Sequence, residues 1–248
     1  MTIQLYPDGV TVRRVEKGRQ RWYEVEGDER VAGVRLRNVT TALNVINKPQ
    51  LNIWKENQAR EQTAAAAKLH RDVDDTDFIV KLSKTHYQKD YAAEGNAAHE
   101  KIHQYLTNPE TALQEASADD IALFRSVTQT IGESSHIWSE VPVYSAELGF
   151  GGTVDLIIEH PPIERSLDPT LSVIDFKTGG VYDEHALQVA AYSLAVEEMS
   201  GARCNGYVLQ LKDGGAHIKQ VKNMDTAKAV FTGVLLIDQW QRDKDVWI

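Results

Sequence analysis

The hydrophobic pattern of the chain is most regular in two short runs that lie close together in the sequence. Residues 151–159 read GGTVDLIIE and residues 171–178 read LSVIDFKT, and both runs are rich in Val, Ile and Leu. Prolines stand between the two runs at positions 161, 162 and 169. This length and these bounding turn residues predict two neighbouring strands. We expect the two strands to pair in antiparallel orientation.

Each predicted strand contains an acidic residue. If the connection folds back symmetrically about residue 165, Asp155 and Asp175 stand side by side. Side chains alternate along a strand, so Asp175 and Lys177 share one face while Phe176 points to the other. Carboxylates inside apolar strands are costly unless a cation or a hydrogen-bond partner compensates them. The pattern therefore predicts a polar site at one end of the sheet.

A helix predicted over residues 184–200 follows the second strand. Its Gln188 and Tyr192 are one turn apart and face the same way. Taken alone, this pair is equally typical of a polar helix face, and Asp-x-Lys alone is usually a solvated strand edge with an ion pair. The functional interpretation depends on their combination with the second, mirrored aspartate.

Residues 91–106, YAAEGNAAHEKIHQYL, predict a helix upstream of the strands. Small and apolar residues recur at helical spacing, so this helix can pack close to the sheet. His99 lies on its inward face. It is either a hydrogen-bonded core histidine, the commoner case, or a metal ligand above the two aspartates.

The same helix contains the pattern H-E-x-x-H, formed by His99, Glu100 and His103. Two histidines one turn apart with an intervening glutamate are typical of zinc metallopeptidases, which need a third ligand. Asp119 and Asp120 are candidates, but they lie in a stretch that reads as a helix cap. The peptidase stays an alternative.

The remaining pattern predicts further elements along the chain. They are a β-hairpin over residues 10–26 around Lys17 and Gly18, a short helix capped by Thr40 or Thr41, a helix over residues 51–69, a helix over residues 121–131, a strand with Glu140 at its start, a strand over residues 205–211 with a hairpin at Asp213-Gly214, and a closing helix over residues 225–240. Basic residues cluster near the first hairpin's turn, namely Arg13, Arg14, Lys17, Arg19 and Arg21. Trp54 is interpreted as a core residue, with base stacking as the alternative.

Composition narrows the function. The chain has 248 residues and 42% hydrophobic content, which suits one domain with an elaborated N-terminal part. It has no apolar run of about 18 residues and no hydrophobic signal sequence, so we expect a soluble cytoplasmic protein without membrane association. With Cys204 as the only cysteine, a metal must be held by oxygen and imidazole.

Charge is unevenly distributed. The net charge is −9, yet residues 1–60 contain eleven Lys or Arg and seven Asp or Glu. The acidic total argues against broad adhesion to polyanions. A local basic surface in the N-terminal quarter can still attract a phosphate backbone.

From His99 onward, the predicted order is helix, three strands, helix, strand. This order and its residues resemble the RecB-like branch of the PD-(D/E)XK nuclease superfamily, with Val154 in place of the usual proline. The matching segments are GNAAHEKIHQYL with His99, EVPVYS with Glu140, GGTVDLI with Asp155, VIDFKTG with Asp175 and Lys177, and QVAAY with Gln188 and Tyr192. Residues 39–54, VTTALNVINKPQLNIW, are similar to the N-terminal segment of phage-type exonucleases.

The resemblance implies an α/β (α+β) fold with a restriction-endonuclease-like core. In that core, an αβββαβ arrangement forms a mixed sheet flanked by helices. The whole chain, 1–248, is then one nuclease domain. Residues 1–90 supply the hairpin and helical elaboration, and residues 91–248 supply the core.

The resemblance also implies a site that holds Mg²⁺ or Mn²⁺. The implied ligands are Asp155, Asp175, His99 and the backbone carbonyl of Phe176. Lys177 would orient the attacking water, and Gln188 and Tyr192 would position the phosphate or the lysine. Glu140 would assist a second metal or support the first.

These implications together describe a metal-dependent DNA exonuclease of recombination or repair, encoded by a phage or a bacterium. The chain lacks the G-x-x-x-x-G-K-[ST] loop, so it cannot itself use ATP to unwind DNA. We expect it to act on ends, flaps or single strands, or with a recombination or helicase partner. A non-catalytic DNA-binding module is the third alternative.

Overall fold

Eight strands form one sheet in the computed structural model, which describes residues 3–18, 20–46, 57, 93–132, 134, 136–160 and 170–243. The strands are β1 (Thr11–Lys17), β2 (Gln20–Glu26), β3 (Leu36–Asn38), β4 (His136–Ser145), β5 (Phe150–Glu159), β6 (Thr170–Lys177), β7 (Arg203–Lys212) and β8 (Gly215–Gln220). The helices of the same residues are α1 (Val39–Ala42), α2 (residues 93–107), α3 (Pro109–Glu115), α4 (Ala118–Ile131), α5 (Asp183–Ser200) and α6 (Met224–Arg242).

The sheet is mixed. Its strands follow the order β1-β2-β3-β5-β6-β7-β8, and β4 pairs with β5 in addition. The pairs β3–β5 and β6–β7 are parallel, whereas the other pairs are antiparallel. The predicted series of three strands, a helix and a strand is present as β4, β5, β6, α5 and β7. The α/β fold class is therefore confirmed.

Strands β5 and β6 are buried at nearly every position. Successive side chains of a strand point to opposite faces, so this burial means that both faces of these strands are covered. Helix α5 packs against β4, β6 and β7, and α4 packs against β8. The continuous apolar runs of the two strands follow from this double coverage.

The predicted register of β5 and β6 is confirmed. Their ladder runs from Leu156 opposite Ile174 to Glu159 opposite Leu171, which is the symmetry about residue 165 expected from the sequence. Both predicted hairpins are present as well. At the tip of the second hairpin, Asp213 and Gly214 have φ angles of 53° and 73°, as a type I′ turn requires.

Three local expectations need correction. Asn38, not Thr40 or Thr41, caps α1, because its Oδ1 accepts hydrogen bonds from the N–H groups of Thr40 and Thr41. Helix α3 was not expected, although its Asn108 cap and Pro109 are ordinary start signals. Helix α4 begins three residues before the expected Ile121.

The chain divides into two units. One comprises Met1–Ile46 and Lys101–Ile248, and the other comprises Asn47–Glu100. Of the second unit, the structure describes residue 57 and the helical residues 93–100. Three expectations fall on residues outside the described ones. They concern the helix over residues 51–69, Trp54 and Arg19. The single-domain expectation stays a prediction.

No helix among the described residues is long and apolar enough to cross a membrane.

Candidate functional site

The ladder between β5 and β6 stops at Leu156 and Ile174, one position before the two predicted aspartates. Beyond that pair, the Phe176 N–H donates to Oδ2 of Asp155 at 2.5 Å. A side-chain carboxylate of β5 therefore accepts from the backbone of β6 where ladder pairing ends. This contact fixes Asp155 at the end of the ladder. Asp155 is 9% exposed and Asp175 is 2% exposed.

Asp175 and Lys177 lie on the same face of β6, as the strand period predicts. The Nζ atom of Lys177 is 2.5 Å from Oδ2 of Asp175. Phe176, between them, is buried at 1% exposure. The Lys177 side chain keeps 21% of its surface exposed. Lys177 therefore contacts a buried carboxylate and is also accessible to solvent.

Helix α5 presents the predicted glutamine and tyrosine to this acidic pair. The Gln188 Nε2 donates to Oδ1 of Asp175 at 2.9 Å and to the hydroxyl of Tyr192 at 2.9 Å. A side-chain amide nitrogen carries two hydrogens, so these two bonds use both of them. The orientation of Gln188 is thereby fixed, and both oxygens of Asp175 have a positively polarised partner.

The ring of Tyr192 packs closely on β5 because Gly152 has no side chain. A Cβ at that position would lie 2.4 Å from Cε1 of Tyr192, which no real contact allows. Burial raises the pKa of Tyr192 well above its usual value, and the Asp175 and Asp155 carboxylates raise it further. Tyr192 therefore keeps its proton and serves as a hydrogen-bonding group.

Glu140 interrupts the pairing of β4 with β5. Ser139 pairs with Leu156 and Val141 with Val154, but the intervening pair, Glu140 with Asp155, is missing from the ladder. The φ angle of Glu140 is 54°, a left-handed conformation that costs a non-glycine residue about 1–2 kcal/mol. Such strain is concentrated at functional sites, where the surrounding structure maintains it.

His99 supplies a nitrogen to a possible metal site. One ligand atom each from His99, Glu140 and Asp155 lie within 4.8 Å of one another. Two carboxylates and an imidazole, without a thiolate, form a donor set that suits a hard divalent cation. Glu140, which was predicted to assist a second metal or support the first, thus lies in one candidate group with His99 and Asp155.

The other two predicted ligands are placed differently. Asp175 forms the ion pair with Lys177 and accepts from Gln188, and it is not in the group with His99. For Phe176, the hydrogen bond to Asp155 is made by its N–H. The metal-binding roles of Asp175 and of the Phe176 carbonyl stay predictions.

The H-E-x-x-H pattern does not form one metal site among the described residues. His99 belongs to the candidate metal group, whereas the Nδ1 of His103 lies 2.9 Å from the hydroxyl of Ser139. The carboxylate of Asp120, a nominated third ligand, accepts from the N–H and the hydroxyl of Ser117 in a helix cap and pairs with Lys101 at 2.8 Å. The two histidines therefore contact different groups, His99 the candidate metal ligands and His103 the hydroxyl of Ser139.

Sequence reasoning missed the contribution of Ser139. Its hydroxyl donates to the carbonyl of Asp155 at 3.2 Å, next to the interruption at Glu140. A polar Ser-Glu pair inside the strand HIWSEVPVYS is the only sequence signal for it.

Acids of the same hairpin neutralise part of the predicted basic cluster on β1 and β2. Arg13 pairs with Glu24 at 2.8 Å, while Arg14 and Arg21 both pair with Glu16. These pairs are substantially exposed, so they contribute little to stability. The local positive charge is smaller than the count of basic residues indicates.

A model of the PD-(D/E)XK nuclease superfamily matches residues 64–245. A search of curated proteins found no significant match. Among solved structures, the chain is similar to the crystal structure of SSO0001, with 10% identity and a TM-score of 0.29 over 59% of this chain and 72% of that chain.

The family match covers well over half of the chain and includes every residue of the candidate site. This chain belongs to the PD-(D/E)XK nuclease superfamily.

Proposed function

We propose that this protein is a Mg²⁺- or Mn²⁺-dependent DNA exonuclease of the RecB-like branch. The observation that carries the proposal is the position of Asp155, Asp175 and Lys177 where the β5–β6 ladder ends. Carboxylates there can hold a cation, and an ammonium two residues along the strand can face the same substrate group. The segments that resemble RecB-like nucleases support the choice of branch.

Phosphodiester hydrolysis needs a nucleophilic water and compensation of the charge that develops on the phosphate. A divalent cation, when bound, lowers the pKa of water and compensates this charge. His99, Glu140 and Asp155 would hold it, with Asp175 and the Phe176 carbonyl as further ligands. Water attacks the phosphorus, the bond to one bridging oxygen breaks, and that oxygen leaves with a proton.

The residues of this chain have distinct parts in that reaction. Lys177 orients the attacking water and offsets negative charge on the phosphate oxygens. Gln188 holds Asp175 in place, and Tyr192 holds Gln188. These bonds exist before substrate binds, so the geometry is prepared in advance.

The substrate is DNA with ends, flaps or single strands, because the sequence contains no phosphate loop for ATP-driven unwinding. A helicase or recombination partner would supply such ends. The exonucleolytic mode and a role in recombination or repair in a bacterial or phage-infected cell depend on the resemblance to RecB-like and phage-type exonucleases.

The test is digestion of linear and covalently closed circular DNA, single- and double-stranded, with Mg²⁺ or Mn²⁺. We expect metal-dependent loss of the linear forms only, and no loss with Lys177→Ala. Lys212→Ala is the matched control, because Lys212 is an exposed lysine near the end of β7, and we expect full activity from it.

Three results would contradict the proposal. Wild-type cleavage by Lys177→Ala would exclude the assigned site. DNA binding without turnover would favour a non-catalytic module, and peptide cleavage with stoichiometric zinc would favour the metallopeptidase.

A further inference from the structure

The second histidine of the H-E-x-x-H pattern has no part in the reaction proposed above, yet it is connected to the site by a chain of hydrogen bonds. The Nδ1 of His103 lies 2.9 Å from the hydroxyl oxygen of Ser139. That hydroxyl lies 3.2 Å from the backbone carbonyl of Asp155. The two hydrogen bonds thus connect α2 to β4 and β4 to β5.

The direction of both bonds follows from chemistry. A carbonyl oxygen can only accept, so the Ser139 hydroxyl must donate its proton to Asp155. That hydroxyl has no second proton, so its oxygen accepts from His103, and the Nδ1 of His103 must carry a hydrogen. The result is one continuous chain from imidazole N–H to hydroxyl to carbonyl.

These two hydrogen bonds lie beside the interruption of the β4–β5 ladder. Glu140 follows Ser139 directly, has a φ angle of 54°, and is missing from the ladder opposite Asp155. A left-handed conformation persists at a non-glycine residue only where the surrounding structure holds it. The Ser139 hydroxyl supplies that contact one residue away.

We propose that His103 and Ser139 are positioning residues that hold the strained Glu140 backbone, and through it the Glu140 carboxylate, at the cation site. The proposal rests on the proposed function, because it assigns Glu140 and Asp155 to that site. It also gives His103 a role that differs from zinc ligation. The hydrogen-bonded supports of metal ligands commonly change metal affinity or activity by about 10- to 100-fold when removed.

The chain offers a matched control for this pair. Ser172 of β6 is also a strand serine, and its hydroxyl lies 2.6 Å from the Nε2 of His160. This second serine–histidine pair lies towards the far end of the β5–β6 ladder from the acids. Removing Ser172 therefore reports the general cost of losing a serine–histidine bond in this sheet.

The experiment measures the affinity for Mn²⁺ alone, by electron paramagnetic resonance of the unbound ion, and DNA cleavage by the full chain. We expect Ser139→Ala and His103→Ala to weaken Mn²⁺ binding about 10-fold and to lower kcat with little change in KM. Ser172→Ala and Tyr105→Phe should leave Mn²⁺ affinity unchanged. Tyr105→Phe removes a hydroxyl bond between α2 and α4.

A conservative variant separates positioning from simple destabilisation. The side-chain amide nitrogen of an asparagine is as many bonds from Cβ as Nδ1 of histidine, so His103→Asn can still donate to Ser139. We expect His103→Asn to keep Mn²⁺ affinity within about threefold of wild type. If His103→Asn is as impaired as His103→Ala, the hydrogen-bond chain is not the cause.

A double-mutant cycle with Glu140→Ala completes the test. If Ser139 acts through Glu140, Ser139→Ala should cause no further loss of Mn²⁺ affinity in the Glu140→Ala background. The same loss in both backgrounds, or equal affinities of Ser139→Ala and Ser172→Ala, would overturn the proposal. Absence of Mn²⁺ binding to the wild type would overturn it as well.

The two proposals can fail separately. If the wild type cleaves DNA but the Mn²⁺ affinities show no coupling between Ser139 and Glu140, the nuclease proposal stands and the positioning proposal fails. If coupling is present but no DNA form is cleaved, the positioning proposal stands and the nuclease proposal fails.

Discussion

Two buried aspartates of this protein carry the same charge in different surroundings. Asp238 on α6 is 3% exposed, and Arg37 binds both of its carboxylate oxygens, at 2.7 Å and 3.0 Å. Arg242 adds a third bond at 3.1 Å. Asp175 is 2% exposed and has the ammonium of Lys177 and the amide of Gln188 instead.

The difference lies in the balance of charge. Two guanidinium groups more than neutralise Asp238, so its site can join α6 to β3 by an ion pair and has no need of a further cation. Near Asp175, the carboxylate of Asp155 adds negative charge, and Glu140 lies opposite Asp155 on β4. Several carboxylates close together favour the binding of a cation and repel one another without one. A buried acid is therefore a functional candidate when other acids lie beside it.

The largest expected effect is the loss of cleavage in Asp175→Asn. We expect kcat to fall about a thousandfold, which corresponds to about 4 kcal/mol of transition-state stabilisation. Without metal, the free energy of unfolding should change by less than about 1 kcal/mol, because relief of repulsion offsets the broken ion pair. Urea titrations with and without Mn²⁺ measure this, and Mn²⁺ should stabilise the wild type more than the variant.

The matched variant Asp238→Asn should have the opposite profile. It leaves two arginines without their carboxylate, so we expect the free energy of unfolding to fall by about 2–3 kcal/mol. Cleavage per folded molecule should be retained when measured below the melting temperature. If Asp238→Asn loses cleavage while its stability is unchanged, the distinction between the two aspartates is wrong.

The sequence predicted the part of this site that depends on neighbouring segments. Asp155 and Asp175 are twenty residues apart on two strands, and the symmetric connection between these strands determines their register. Gln188 and Tyr192 followed from helical spacing on the next element. These relationships are determined by local periodicity.

The parts that it could not predict depend on distant contacts. His103 meets Ser139 across 36 residues, and Arg37 of β3 pairs with Phe150 of β5 across more than one hundred residues. The left-handed φ of Glu140 is not a preference of glutamate, so only the tertiary structure can impose it. Asn38 was predictable, because asparagine is a preferred N-cap residue.

A smaller effect, and one of opposite sign, is expected for Glu140→Gly. Glycine adopts a φ of 54° without strain, so we expect the variant to be more stable than wild type by about 1 kcal/mol. It should be less active, because it lacks the carboxylate. Val141→Ala is a control for a change in the same strand and should lower stability. A loss of stability in Glu140→Gly would mean that the backbone at this position is not strained.

The smallest effect concerns Asp28, a partly shielded acid that pairs with the exposed Arg30. Hydrogen bonds from Arg30 lower the pKa of Asp28 to about 2, and the hydroxyl of Tyr144 donates to it at 2.9 Å. The pKa in the unfolded chain is about 3.9, so this stabilisation is fully present above about pH 4 and is lost as the pH falls towards 2. Solvent screens Arg30, so Asp28→Asn should cost about 1 kcal/mol at neutral pH and less as the pH approaches 2.

Urea unfolding between pH 2 and 7 measures the difference, with the exposed Glu115→Gln as control. A difference that persists unchanged at pH 2 would show that Asp28 acts through packing and not through its charge.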